Sequence, residues 1–322
     1  MFLHRRPSLE ARRAMSESAL KLGEDTSCVA CHSEVVECKG VIKEMVGQKF
    51  VNPVASGNCA ILAAVSAIDG KIMIPDQGGW RGFKDYPDLM GKEVCILETD
   101  LGVVNTDALD SELRKHNPGG LFLTSFAGYI AEQDIKEIAK ICRENSVCLI
   151  EDISGAIGDK ILARGDADIT ICSTGAPKIV NVLSGGFVST DHKEILDRSA
   201  RVTSACRISP VICAGITEEL KNAPDIVERL VKYSAILKEE LEDVVHRDSR
   251  GVCAGFEIDN PKRFVKRARE NGLVTDANQG FLTACPRYER FLKNGVVVEL
   301  KKLDILNVIE EDIAKIAEIL KT

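Results

Sequence analysis

Apolar positions along the chain change period in a way that divides it into parts. The pattern over residues 8–22 predicts a helix, with Ser8 as its cap and Glu10 in the first turn. Residues 33–47 predict a second helix. From about residue 56 two periods alternate. SGNCAILAAVSAI predicts a helix, KIMIPD and EVCILETD predict strands, and TDALDSELRKH predicts a helix. Strand GLFLTSF, helix EQDIKEIAKICREN and strands VCLIED, DITICST and GGFVST follow. Strand patterns alternating with helical ones imply βαβ units and a mainly parallel sheet flanked by helices. Residues 216–244 predict a long helix with a break near Pro224. From Gly251 the segments shorten to VCAGFEI, PKRFVKRAREN, GVVVELKK and EEDIAKIAEILK, the pattern of a small α+β domain. The expected division is an N-terminal helical, cysteine-rich segment (1–49), a large α/β domain (50–215), and a connecting helix with the small domain (216–322).

Length and composition fit this plan. With 322 residues, 45% hydrophobic and 28% charged, the chain reads as a globular protein with a substantial core. A net charge of −7 argues against a broad nucleic-acid-binding surface. His4, Arg5 and Arg6 with Arg12 and Arg13 form one local basic cluster, a candidate contact for tRNA. No run of eighteen apolar residues is present, so no membrane span is expected. MFLHRRPSLEARRAM has basic residues with no apolar segment behind them, so it is not read as a secretory signal, and a cytoplasmic location is expected. Twelve cysteines is a high count. In a reducing compartment structural disulfides are not expected. Cys95, Cys148, Cys172 and Cys213 lie in apolar runs and read as small buried hydrophobes.

Three pieces carry candidate chemistry. Ser56-Gly57-Asn58 opens a helix, where glycine permits close backbone approach and the helix N-terminus attracts an anion such as phosphate. Strand VCLIED ends in Glu151-Asp152, and a carboxylate at the carboxyl end of a parallel strand points into the binding crevice. Strand DITICST leads into GAPKIVNVLSGGFVST, which puts Lys178 in a loop within reach of the same crevice. Taken singly, these are an ordinary helix start, a cap and a surface lysine.

In that order, the three pieces resemble the aspartate-aminotransferase-like, fold type I superfamily of pyridoxal-phosphate (PLP) enzymes. The resemblance is strongest over residues 50–200. It implies a Schiff-base lysine at Lys178, a pyridinium partner at Asp152, and a phosphate cradle at Ser56, Gly57 and Asn58 with Ser173 as helper. Trp80, the only tryptophan, matches the position of a ring-stacking aromatic, and it also suits a core or interface. Arg287, before the strand GVVVELKK, matches the small-domain arginine that grips a substrate carboxylate. A homodimer is implied.

Asp-x-Ser-Gly-Ala at Asp152–Ala156 is similar to archaeal relatives of selenocysteine synthase, whereas STGAPK resembles the lysine loop of sugar aminotransferases. RRPSLEARRAM followed by Cys28-x-x-Cys31, with Cys206 after the lysine loop, is similar to the Sep-tRNA:Cys-tRNA synthase family. That likeness implies sulfur chemistry at an amino-acid β-carbon. Cys28, Cys31 and Cys206 would be catalytic, the substrate an amino acid or an aminoacyl-tRNA, and a sulfur-donor protein a partner.

TSCVACHSEVVEC leaves several readings open. C-x-x-C-H attaches haem in exported proteins. Cys28, Cys31 and His32 or Cys38 with a distant ligand would suit zinc. Three thiolates from Cys28, Cys31 and Cys38 or Cys206 would hold an iron–sulfur cluster. A persulfide relay needs only a thiolate and a resolving cysteine. Three cysteines with no role is the plain alternative. The favoured expectation is β-elimination and replacement with sulfur transfer. The alternatives are a PLP-dependent aminotransferase and a non-catalytic iron–sulfur or sulfur-carrier protein on the same scaffold.

Overall fold

The computed structural model describes residues 2–22 and 31–321. Helices α1 (Leu9–Lys21) and α2 (Ser33–Val46) lead the chain. The Ser8 hydroxyl accepts from the Ala11 amide at 3.1 Å, the cap expected of that serine. Then come β1 (Phe50–Val54), α3 (Gly57–Ala67), β2 (Ile72–Pro75), α4 (Gly82–Leu89), β3 (Val94–Leu97) and α5 (Thr106–His116). Strand β4 (Gly120–Thr124) precedes a hairpin, β5 (Phe126–Ala127) and β6 (Ala131–Glu132). The region ends with α6 (Ile135–Glu144), β7 (Cys148–Asp152), β8 (Ile169–Ser173), β9 (Gly186–Thr190) and α7 (Lys193–Ala205).

Seven of these strands form one sheet, in the order β1-β9-β8-β7-β4-β2-β3. The run from β3 to β8 is parallel, and β9 lies antiparallel between β8 and β1. Strands β2, β4 and β9 are buried at every residue, which is why they read as unbroken apolar runs. Beyond the sheet lie α8 (Pro210–Glu240), β10 (Ala254–Glu257), α9 (Pro261–Glu270), β11 (Leu282–Cys285), β12 (Gly295–Val298) and α10 (Glu310–Lys321). Strands β10, β12 and β11 make a small antiparallel sheet. The molecule is thus a mainly parallel, helix-flanked sheet with a small α+β unit.

Two expectations need correction. The long helix starts at Pro210 and runs unbroken through Pro224. Ser209 caps it, accepting from the Val211 amide at 3.3 Å, and proline suits the first turn. Pro224 is held by packing. Its nitrogen faces Gly158, where a Cβ would stand 2.7 Å away. The second correction concerns the basic cluster. Arg5 is 5% exposed and its guanidinium meets the fully buried Glu219 at 2.5 Å. It is a core ion pair and is not available to nucleic acid. Strand β1, FVNPV, was not foreseen because Pro53 breaks the strand pattern. Proline is tolerated there because β1 is the edge of the sheet. Among the described residues no helix is long and apolar enough to cross a membrane.

Candidate active site

The site is a cleft at the carboxyl ends of β7 and β8, lined by Gly57, Asn58, Trp80, Asp152, Ser173 and Lys178. Helix α3 presents its N-terminus to it. The Ser56 hydroxyl accepts from the Cys59 amide at 3.1 Å, so the amides of Gly57 and Asn58 keep no acceptor within the helix. Gly57 is required by close approach: a Cβ there would lie 2.4 Å from the Cβ of Ser173. Trp80 donates its indole N–H to Asn58 Oδ1 at 3.1 Å, which holds the ring over the mouth of the helix.

Asp152 is the last residue of β7 and is 9% exposed. Its Oδ1 accepts from the Ser154 amide at 2.9 Å and hydroxyl at 2.5 Å. Ser154 Oγ in turn accepts from the Ser173 amide at 2.8 Å, tying β7 to β8. Oδ2 has no hydrogen bond among the described residues. Lys178 lies in the packed loop between β8 and β9. Its amide donates to Gly175 O at 3.1 Å, and the neighbouring Ile179 and Val180 are buried. Lys178 Nζ lies within hydrogen-bond distance of Tyr129 Oη, at 2.5 Å, and stands 5.0 Å from the Trp80 ring. Burial lowers its pKa, against an opposing pull from Asp152.

A second buried cluster reaches the same lysine. Glu299 accepts from Arg290 Nε at 2.7 Å, Lys301 Nζ at 2.6 Å and Thr283 Oγ1 at 2.8 Å. Burial alone would raise its carboxyl, but Arg290 and Lys301 hold it well below the usual range. Lys301 and Arg290 also lie on the ring of Tyr129. Tyr129, Ser154, Arg290, Glu299 and Lys301 were not foreseen. Only Ser154 carried a local signal, as the third residue of the Asp-x-Ser element.

The structure therefore brings Ser56, Gly57, Asn58, Trp80, Asp152, Ser173 and Lys178 together. Among the described residues it does not gather Cys31, Cys38 and Cys206. Cys28 lies outside the described residues. Cys31 is exposed ahead of α2. Cys38 is fully buried against Cys213 of α8, so it packs as a core residue. Cys206, at the end of α7, faces Cys59 of α3, and burial first and Cys59 second push its thiol up to about 11. Among the described residues no three His, Cys, Asp or Glu side chains converge as a metal site. Arg287 is exposed, with its nearest carboxylate, Glu289, at 3.9 Å. Its loop joins the segment that carries Trp80: the Gly78 amide donates to Tyr288 O at 2.8 Å.

Residues 224–321 match the MJ1341 family C-terminal domain. A curated relative, UDP-4-amino-4,6-dideoxy-N-acetyl-beta-L-altrosamine transaminase of Campylobacter jejuni, is 25% identical over 175 residues. That match covers 51% of this chain and 46% of the relative, so the chain matches about half of the relative's length. Helicobacter pylori PseC, an aminotransferase involved in the biosynthesis of pseudoaminic acid, superposes with a TM-score of 0.78 at 14% identity, over 100% of this chain and 98% of its own. Serine palmitoyltransferase from S. paucimobilis, solved with a bound PLP–myriocin aldimine, superposes at 0.76 with 13% identity, over 98% of this chain and 83% of its own. The fold of this chain is the type I fold of PLP enzymes.

Proposed function

We propose that the chain is a PLP-dependent aminotransferase. The observation that carries this reading is one cleft holding Lys178, the free oxygen of Asp152 and the open N-terminus of α3. The donor set suits the cofactor. The Gly57 and Asn58 amides with Ser56 and Ser173 would hold its phosphate, Trp80 would cover its ring, and Asp152 would meet its ring nitrogen. Bound there, PLP would supply an electrophilic aldehyde and an electron sink. Lys178 would be the covalent anchor and, once displaced, the base that moves a proton at its Nζ. Ser154 keeps Asp152 oriented by donating twice to it. Arg287, exposed on the loop beside the Trp80 segment, would take a substrate carboxylate.

Transamination is preferred to sulfur transfer because two of the similar proteins are aminotransferases, and the described cysteines do not gather at Lys178. The test is borohydride reduction of cofactor-loaded protein followed by peptide mass analysis. Wild type should carry a reduced cofactor on Lys178, and Lys178→Ala should carry none. No label on wild-type Lys178 would sink the proposal. In unreduced, cofactor-loaded protein an amino donor should convert the cofactor to its amine form without releasing sulfide. Sulfide release would restore the sulfur reading. Sedimentation should show a homodimer.

A further inference from the structure

Tyr129 is not among the residues that would hold the cofactor, yet it makes the shortest polar contact of Lys178, 2.5 Å from Oη to Nζ. The tyrosine sits between β5 and β6 with φ 68°, a left-handed conformation that a bulky residue rarely adopts. The surrounding packing holds it there, 6% exposed. Two cations fix its ring. Lys301 Nζ lies 3.5 Å from the ring centroid, and the Arg290 guanidinium carbon lies 4.8 Å from it. Both are bonded to Glu299, so neither is free to move away. A cation on the ring strengthens the phenol as a hydrogen-bond donor.

Hydrogen-bond accounting then decides what Lys178 must be. Among the described residues the phenol has one hydrogen-bond partner, Lys178 Nζ. An ammonium only donates, so with Lys178 charged the phenol O–H would find no acceptor among the described residues. A neutral amine has a lone pair to receive it. We propose that Tyr129 is a positioning residue that holds Lys178 as the neutral amine, its O–H donating to Nζ, with Lys301 and Arg290 fixing the ring from the C-terminal unit. Only an N–H bond is lost, and its proton goes to solvent. The reading rests on the proposed function for its consequence, since the neutral amine is the nucleophile. The other groups facing Lys178 divide. Burial, the largest influence, and Arg290 favour the neutral form; Asp152, Cys172 and Glu299 favour the charged one.

The test titrates Lys178 in the full chain without added cofactor, by competitive acetylation across pH with peptide mass readout. Tyr129→Phe should raise the Lys178 midpoint, making proton affinity roughly tenfold greater, because the donor that rewards neutrality is gone. An unchanged or lower midpoint overturns the proposal. 3-Fluorotyrosine at position 129, a more acidic donor of nearly the same size, should lower the midpoint, and a rise or no change would also overturn it. No cofactor enters this titration, so its failure leaves the borohydride result intact, and the reverse also holds.

Discussion

At the scale of the residue, Glu151 and Asp152 show how one step along a strand separates two carboxylates. Side chains alternate across the sheet, so Asp152 lines the cleft while Glu151 turns to the opposite face. Glu151 is fully buried, with Oε1 accepting from Ser125 at 2.7 Å and Oε2 without a hydrogen-bond partner among the described residues. Burial pushes its pKa up to about 7 from the ordinary 4.5. Since the folded value is the higher one, the native state holds this proton more tightly than the unfolded chain. Stability is therefore lost as pH rises from 4.5 to about 7, and the loss is complete above that window. Glu151→Gln removes the charge and nearly keeps the shape. It should stabilise by on the order of 3 kcal/mol at pH 8 and by almost nothing near pH 4. Urea unfolding at both pH values checks this, and an equal gain at both would refute burial of the charge as the cause.

At the scale of the element, the approach of α3 to β8 sets the cradle. Glycine at position 57 reads in sequence as a concession to a phosphate. In the structure it first answers to Ser173, because the two backbones meet where a Cβ has no room. Gly57→Ala must push the helix start away or strain β8. It should cost about 1–3 kcal/mol and weaken PLP binding along with stability. Thermal melts with and without cofactor, together with equilibrium dialysis, measure both. Wild-type affinity in a destabilised variant would separate packing from the cradle. Helix α8 makes a related point. Its interior proline was a reasonable predicted break, but thirty-one residues continue through it because packing on Gly158 supports the backbone there.

At the scale of the whole molecule, the N-terminal segment acts as a clasp. Phe2 bridges to Thr275 and His4 to Leu303, and Arg5 then enters the core. Its guanidinium bonds Glu219 of α8 and, at 3.1 Å, the carbonyl of Ile179, next to Lys178. The first residues thus brace the lysine loop against the long helix. Arg5→Met would leave Glu219 buried and uncompensated, with an expected loss of about 3–5 kcal/mol. Arg6, half-exposed beside Asp276, should lose within about 1 kcal/mol on replacement by alanine. Denaturant midpoints of the two variants check the contrast, and equal effects would remove the clasp.

Sequence alone determined what depends on neighbours along the chain. The period of 3.6 and short unbroken apolar runs placed most helices and strands, because a helix buries one face while a central parallel strand is covered on both. Ser56 and Asp152 were legible because one caps a helix and the other ends a parallel strand, and Lys178 because its loop follows the neighbouring strand, where a parallel sheet gathers its ligands. The STGAPK likeness to sugar aminotransferases agrees with the transaminase relative. What only the tertiary structure decided were contacts between distant segments. Tyr129 meets Lys178 across forty-nine positions, and Arg5 meets Glu219 across more than two hundred. No periodicity records such pairs. The same holds for the cysteines: spacing suggested a cluster, but packing sent Cys38 into the core and Cys206 to Cys59. A thiol's role depends on what surrounds it in space, and that is settled when the helices dock.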